Sequence, residues 1–371
     1  MLLRCHVEPW VARLLSLGVA WIAMIGEDTT GDDGGTGENR QPKLGRRTLL
    51  RSAAVGGAVG LGVGLATGAP NGDGSDGNGG GRKGFPPNGT TEYGGEIDLG
   101  NGRVRTFTTE TPSGVPKYHG VEFDRSALEG LPSPEDLAER NDEEADKYGP
   151  DGQAAVVHFK NSLQYFVPLP DAARTPFEFL GLNWNPGGHY GGKGAWLKPH
   201  FDVHFHMLDT ATVDSVEGPQ LPPYDTSNGK YEGGSPAPDP EGEVTSTEFP
   251  FEQLPEGYAR PPEPVADQRY ITDMGEHTAP LDAPELPGNP EAFTNTLIQG
   301  FIEPDGGDPR LAFVEPMITR EFLDGFDGTA VYDVPQPRAY PHDEQHPQAY
   351  SIRDIPPRDA VAVVLQAFEK V

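Results

Sequence analysis

Short runs of alternating apolar and polar residues recur along the chain from Gly94 onward. A period of two is typical of a β-strand with one buried face, and turn residues such as Asn101-Gly102 separate the runs as in hairpins. The pattern predicts strands at 104–109, 117–123, 155–159, 163–169, 177–184, 200–208, 294–302, 311–314, 349–353 and 360–368. So many short strands indicate an all-β fold, either an antiparallel barrel or an antiparallel sandwich.

One segment carries helix signals instead. Ser133 suits the N-cap, Pro134 suits the first turn, and Glu135 and Asp136 would face the positive end of the helix dipole. Gly149-Pro150 marks the predicted end of the helix. Because this segment is very acidic, we predict a peripheral helix, with long loops completing the domain.

The N-terminal part of the chain has the pattern of an export signal. Arg46-Arg47 precedes an uncharged stretch of Ala, Gly, Val and Leu at 52–69. A twin-arginine pair before a mildly apolar segment directs export in the folded state. We therefore predict a twin-arginine signal at 46–69, the twin-arginine export machinery as a partner, and a secreted or cell-surface location. A membrane anchor is the alternative, but the glycines disfavour a stable span.

Changes in composition divide the rest of the chain into an N-terminal extension, a linker and one domain. Residues 1–45 are predicted to be an N-terminal extension, within which Met24 is an alternative start. Residues 70–92 are rich in Gly, Asn, Asp and Ser, which predicts a disordered linker. Residues 93–371 are predicted to form a single β-rich domain with a Pro-rich, acidic loop excursion at 217–268.

The net charge of the chain limits the classes of partner that it can bind. There are 57 acidic and 28 basic residues, so the formal net charge is −29. This excess of acid is typical of proteins that work in concentrated salt, where screening removes self-repulsion. It argues against nucleic acid and anionic membranes as partners, because both require clustered Lys and Arg. The single cysteine excludes an intramolecular disulfide and a multi-cysteine zinc site.

The segment 200–208 is the most informative for chemistry. With a side-chain period of two, one face of this strand is apolar and the other carries imidazoles and a carboxylate. The polar face consists of His200, Asp202, His204 and His206. Neighbours on one face lie about 7 Å apart, so His204 and His206 can converge on one ion. His200 and His204 lie about 13 Å apart on the same arithmetic and cannot share an ion without a bend.

A metal site needs further ligands from other strands. The candidates in the sequence are His189, His277, Glu276 and Glu315, with Asp202 as a further carboxylate ligand or as a residue that orients a ligand. Imidazoles with a carboxylate suit zinc, iron, manganese or copper, and the sequence does not choose among them. The alternative is that these histidines are hydrogen-bonded core or subunit-interface residues.

Several segments, in the same order, resemble an uncharacterised family of secreted prokaryotic proteins, a domain of unknown function. The likeness covers residues 94–371 and rests on the motifs 182–189 (LNWNPGGH), 199–205 (PHFDVHF), 274–277 (MGEH) and 315–319 (EPMIT). It implies a β-rich, exported, oligomeric protein with no established activity.

The chain departs from this family at two positions. The family prefers an aromatic residue where this chain has His206, and Trp where it has Thr278. The resemblance therefore implies that His206 is a dispensable ligand. The shared site that it implies consists of His189, His200, His204 and His277, with Asp202 or Glu315 as the carboxylate.

Two functions follow from the sequence, and it leaves open whether the protein is an enzyme. The first is an exported acidic β-domain that forms a homo-oligomer and acts as an extracytoplasmic binding or structural module. The lack of a nucleophile elbow or a phosphate-binding loop favours this function. The alternative is a metal-binding β-barrel enzyme that acts on a small molecule through the His-rich strand.

Overall fold

The computed structural model describes residues 84–139, 155–157, 162–189, 194–216, 224–225, 230–231, 253–259, 270–286, 288–303 and 308–371. All of them lie in one unit, Asn78–Val371. The predicted N-terminal extension, the signal with Arg46 and Arg47, and most of the loop excursion at 217–268 lie outside the described residues.

The described residues are mostly β-structure. The strands are β1 (Thr91–Leu99), β2 (Gly102–Glu110), β3 (Pro116–Asp124), β4 (Ala155–Val157), β5 (Ser162–Pro168), β6 (Phe179–Asn185), β7 (His200–His206), β8 (Tyr224–Asp225), β9 (Lys230–Tyr231), β10 (Tyr258–Ala259), β11 (Tyr270–Ile271), β12 (Gly275–Pro280), β13 (Asn295–Ile302), β14 (Arg310–Thr319), β15 (Thr329–Asp333), β16 (Gln345–Ile355) and β17 (Ala360–Lys370). The α-helices are short: α1 (Pro134–Glu139), α2 (Thr210–Asp214) and α3 (Arg320–Asp324). Single 3₁₀ turns lie at Arg125–Leu128, Pro290–Ala292 and Pro356–Arg358.

Two antiparallel sheets form a sandwich. The six-stranded sheet has the order β1-β2-β3-β17-β16-β15. The nine-stranded sheet has the order β10-β12-β13-β14-β7-β6-β5-β4, with β11 also paired to β12. Neither sheet closes on itself within the described residues, so the fold is the predicted sandwich and the barrel alternative is wrong.

The core between the sheets comes from the alternation that the sequence shows. Phe201, Val203 and Phe205 of β7 pack in the same apolar cluster as Val361 and Val363 of β17. The two strands belong to different sheets, so this cluster joins the layers. Trp184 also lies in it, and its indole N–H donates to the carbonyl of Pro132.

The nine-stranded sheet is also buried on its outer face. A second apolar cluster covers that face, with Phe179 and Phe313 from the strands and Trp196, Val213 and Phe293 from the segments around them. As a result β6 and β7 are buried at every position. Polar side chains on this face are therefore shielded from water, and they need partners there.

Most predicted strands are present, with corrections at three places. The predicted hairpin is confirmed, but Leu99 pairs with Gly102, so its turn residues are Gly100 and Asn101 and Gly102 is the first residue of β2. The linker ends earlier than predicted: β1 begins at Thr91, and the ring of Phe85 packs against Phe107. The sequence missed β12 (GEHTAP) and β15, since the first contains Gly and Pro and the second is an exposed edge strand.

The helix prediction is confirmed at its start. Ser133 Oγ accepts from the backbone N–H of Asp136, and Asp136 Oδ2 accepts from the N–H of Ser133, which is a reciprocal cap. The helix is not wholly peripheral, because Leu137 is fully buried in the core. The predicted end at Gly149-Pro150 lies outside the described residues.

Candidate metal centre

Strand β7 provides the base of the site. The alternation is as predicted: Phe201, Val203 and Phe205 enter the sandwich core, and the other four side chains lie on the outer face of the nine-stranded sheet. Those four are at most 4% exposed: His200, Asp202, His204 and His206. A row of imidazoles and a carboxylate is thus held in a dry environment.

Register on the neighbouring strands brings two more ligands to this row. Phe313 pairs with His206 and Met317 pairs with Asp202, which places Glu315 beside His204. Phe313 also pairs with Gly300, and Gly300 pairs with His277. Because side chains that pair across a sheet share a face, His277 and Glu315 reach the same side as His204.

These three residues form an almost equilateral triangle of ligand atoms. His204 Nε2 lies 3.4 Å from His277 Nε2 and 3.4 Å from Glu315 Oε2. His277 Nε2 lies 3.5 Å from Glu315 Oε2. Tetrahedral ligands at about 2.0–2.1 Å from a zinc ion are about 3.3–3.4 Å apart. The triangle therefore has the size that a four-coordinate ion requires, with one position left for a non-protein ligand. We call this group the β7 triad.

The surroundings of the β7 triad orient its ligands. His277 Nδ1 lies 3.1 Å from the carbonyl oxygen of Gly275. A proton on Nδ1 that bonds this carbonyl leaves the Nε2 lone pair aimed at the triangle, which is the usual support of a metal-binding imidazole. Gly275 has φ 98°, and a Cβ there would lie 2.3 Å from the carbonyl oxygen of Phe301. Only glycine fits this backbone position.

Burying the ionised side chain of Glu315 without a nearby cation is unfavourable in free energy. Burial and the nearby charge of Asp202 raise its pKa well above the usual range for a carboxyl. Its Oε2 atom has no hydrogen-bond donor among the described residues and instead faces the two imidazole nitrogens. A bound cation would remove the cost of the ionised form.

Phe313 packs among the imidazoles of the site. Its ring centroid lies 5.0 Å from that of His204, 5.1 Å from that of His277 and 5.4 Å from that of His206. Gly300 makes room for it, because a Cβ at Gly300 would lie 1.7 Å from the Phe313 ring. The glycine is thus required by a close approach of a side chain.

A second group of ligands lies at the start of β7. His200 Nε2 lies 3.1 Å from Asp202 Oδ1, and His189 Nε2 lies 3.6 Å from Asp202 Oδ2. One ligand atom from each of the three residues can be chosen so that all lie within 4.8 Å of one another. Burial opposes ionisation of Asp202, but the His200 and His189 imidazoles outweigh it and hold its pKa well below the usual range. We call this group the His189 cluster.

The structure thus divides the predicted ligands into two groups. His204 meets His277 and Glu315, while His200 meets His189 and Asp202. This separation agrees with the distance between His200 and His204 that the strand period gives. The single site with four histidines that the family resemblance implies is therefore not assembled.

Two predicted residues belong to neither group. His206 does not converge with His204 on one ion; its ring stacks on the His204 ring with centroids 5.5 Å apart, and on Phe179 at 4.6 Å. Burial, with His204 and His277 nearby, lowers the pKa of His206 well below its usual value. Glu276 pairs with Phe301, a member of the sandwich core, and so faces away from His277.

Sequence reasoning missed Asn185 as part of the site. Its side-chain amide donates to Asp202 Oδ2 at 2.8 Å and fixes the carboxylate. It lies on the outer face of β6 beside His200, its register partner. The signal was present in the motif 182–189, four residues before His189, but an amide there has no recognised ligand role.

No protein-family model matches this chain, and no match was found among the curated proteins or the solved structures. In the part of the chain that the structure describes, none of the helices has the length and apolar character needed to cross a membrane.

Proposed function

We propose that the protein binds a divalent transition metal ion at the β7 triad and uses it on a small molecule. The observation that carries this proposal is the triangle of His204 Nε2, His277 Nε2 and Glu315 Oε2, with edges of 3.4, 3.4 and 3.5 Å. Two imidazoles, one carboxylate and an open position are the ligand set of a catalytic zinc ion and also of non-haem iron(II), so these two are the metals that the triad fits.

The burial of the three ligands determines which chemistry a bound ion can perform. His204 and Glu315 are at most 1% exposed and His277 is the ligand nearest to solvent, with 12% of its side chain exposed. An ion held in this low-dielectric environment polarises a carbonyl or lowers the pKa of a bound water. The protein's own contribution is to fix the three ligands on adjacent strands and to exclude bulk water from two of them.

Metal content of the purified protein tests this proposal. We expect about one equivalent of a transition metal at the triad, lost in His277→Ala and in the isosteric variant Glu315→Gln. The matched control is His206→Phe, which removes an imidazole from the same strand face but keeps the aromatic stacking on Phe179. Equal metal in all four proteins, or none in the parent, contradicts the proposal.

We also propose that the chain is exported by the twin-arginine route and forms a homo-oligomer, and that its membership of the uncharacterised secreted family accounts for both. The support for export is the Arg46-Arg47 pair before 52–69, and the support for the oligomer is the resemblance over residues 94–371. Replacing both arginines by lysine should retain the protein in the cytoplasm, measured by cell fractionation. Light scattering of the purified protein tests the oligomer, and a monomer would favour the metal-binding enzyme over the oligomeric module.

A further inference from the structure

We infer that the His189 cluster is a second divalent metal site, separate from the β7 triad and more exchangeable. Its ligands are His189, His200 and Asp202, and zinc or a similar ion with nitrogen and oxygen preferences is the class of occupant. The inference does not depend on the proposed function, because the two groups share no residue.

A hydrogen bond of His200 determines which of its ring nitrogens carries a proton. Its Nδ1 atom lies 2.6 Å from the carbonyl oxygen of Lys198, a pure acceptor, so Nδ1 holds a proton. In the neutral ring Nε2 is then a lone pair. That lone pair lies 3.1 Å from Asp202 Oδ1, and neither atom has a hydrogen-bond partner among the described residues. Two facing acceptors require a positive charge between them, which a metal ion supplies if the ring is neutral and a proton on Nε2 supplies if the ring is an imidazolium.

Asp202 is held in place for this role from its other oxygen. The Asn185 amide donates to Oδ2 at 2.8 Å, which directs the carboxylate without neutralising it. His189 Nε2 approaches the same oxygen at 3.6 Å. The two imidazole nitrogens thus face the two different oxygens of one carboxylate, at 3.1 Å and 3.6 Å, so an ion between them would be bound by both oxygens of Asp202.

The backbone brings His189 to the carboxylate. Its N–H donates to the carbonyl of Trp196 at 3.3 Å, and the two rings lie 5.8 Å apart. Gly188 precedes it with φ 70°, where a Cβ would lie 2.3 Å from the Trp196 carbonyl oxygen. The loop is therefore shaped so that the imidazole turns back over the start of β7.

Accessibility separates the two sites. The His189 side chain is 29% exposed, against 12% for His277, the most exposed ligand of the β7 triad. Since ligand exchange begins with the ligand that water reaches, we expect the His189 cluster to lose its ion to a chelator before the triad does.

Zinc titration of the metal-free full chain tests the inference, with zinc chloride as the probe. The parent should bind two equivalents of zinc. Each of three single variants should bind one: His189→Ala, the isosteric Asp202→Asn and His277→Ala. The double variant with His189→Ala and His277→Ala should bind none. His342→Ala, a part-buried histidine in neither group, is the control and should bind two. Circular dichroism and the melting temperature of each variant check that it is folded.

The outcomes separate this inference from the proposed function. One equivalent in the parent that His277→Ala removes and His189→Ala retains overturns the second site and leaves the triad intact. One equivalent that only His189→Ala and Asp202→Asn remove supports the second site and refutes the triad. A ¹⁵N spectrum of the zinc-saturated protein that shows His200 as an imidazolium paired with Asp202 also overturns it, because a metal-bound ring carries no proton on Nε2.

Discussion

At the scale of single residues, side chains on the outer face of the nine-stranded sheet pack closely into the space that two glycines leave. Gly181 leaves room for His206, whose Nε2 would lie 3.0 Å from a Cβ there, and Gly300 leaves room for Phe313. The Phe313 ring in turn packs against three imidazoles. The positions of the ligands thus depend on residues that bind nothing.

Gly300→Ala should therefore both destabilise the fold and weaken metal binding at the β7 triad. Its Cβ would lie 1.7 Å from the Phe313 ring, which cannot move without displacing an imidazole. We expect a loss of about 2–3 kcal/mol in the free energy of unfolding, measured by urea denaturation. The control is Gly325→Ala, where the nearest atom is 3.5 Å away and φ is −85°, and which should cost less than about 1 kcal/mol. Equal effects of the two substitutions would count against this packing.

Buried neutral histidines also predict how stability depends on pH. Burial lowers the pKa of His119 and of His346 to about 3, whereas an unfolded histidine titrates near about 6.5. Below pH 6.5 the unfolded chain binds more protons, so stability is full above that pH and falls as the pH drops towards 3. Each histidine costs about 1.4 kcal/mol per pH unit in this window.

His346→Phe should remove one of these contributions. His346 is fully buried in β16, and neither ring nitrogen has a hydrogen-bond partner among the described residues. We expect the loss of stability between pH 7 and pH 5 to shrink by about 2 kcal/mol relative to the parent. Parallel pH profiles of the two proteins, measured by urea denaturation, would contradict this, because they would show that His346 takes up its proton as readily in the folded chain as in the unfolded chain.

At the scale of elements, Arg125, the first residue of the 3₁₀ turn Arg125–Leu128, forms hydrogen bonds with the C-terminal end of α3. The Arg125 guanidinium donates to the carbonyls of Leu323 and Asp324, each at 2.9 Å, and of Phe326 at 2.6 Å. It also bonds Asp354 Oδ1 at 2.6 Å. Leu323 and Asp324 lie in the last turn of α3, where a cation is favourable, and the Leu323 carbonyl also accepts from the N–H of Phe326 at 3.3 Å.

Arg125→Met should cost about 2–3 kcal/mol of unfolding free energy, because it removes the guanidinium that donates to the carbonyls of Asp324 and Phe326 and to the Asp354 carboxylate. Arg103→Met is the matched control. Its side chain is 56% exposed, and its ion pairs with Glu96 and Asp124 should contribute less than about 1 kcal/mol. Thermal denaturation of the two variants compares them, and a smaller shift for Arg125→Met than for Arg103→Met would refute this role.

Elements with regular alternation could be predicted from the sequence, and others could not. The period-two pattern in β7 correctly separated the ligand face from the core face. β12 was missed although it carries His277, because GEHTAP has neither alternation nor strong strand formers and is held by its pairing with β13. Which residues share an ion depends on register between strands distant in sequence, and no local pattern encodes that register.

At the scale of the whole molecule, a two-layer sandwich carries a strong negative charge. The formal net charge of −29 destabilises the folded chain by self-repulsion at low ionic strength. We expect the melting temperature to rise steadily from low salt to molar sodium chloride, as the Debye length falls from about 30 Å to about 3 Å. Sucrose at equal osmolality is the control for water activity. A melting temperature that sucrose raises as much as salt does would contradict an electrostatic cause.

Occupancy of the β7 triad by an ion is the central claim about this molecule. A crystal structure of the zinc-loaded protein, with anomalous diffraction data collected at the zinc edge, answers this by position. We expect a peak about 2.0–2.2 Å from His204 Nε2, His277 Nε2 and Glu315 Oε2. No peak at the triad, with a protonated Glu315 donating to an imidazole nitrogen instead, would contradict it.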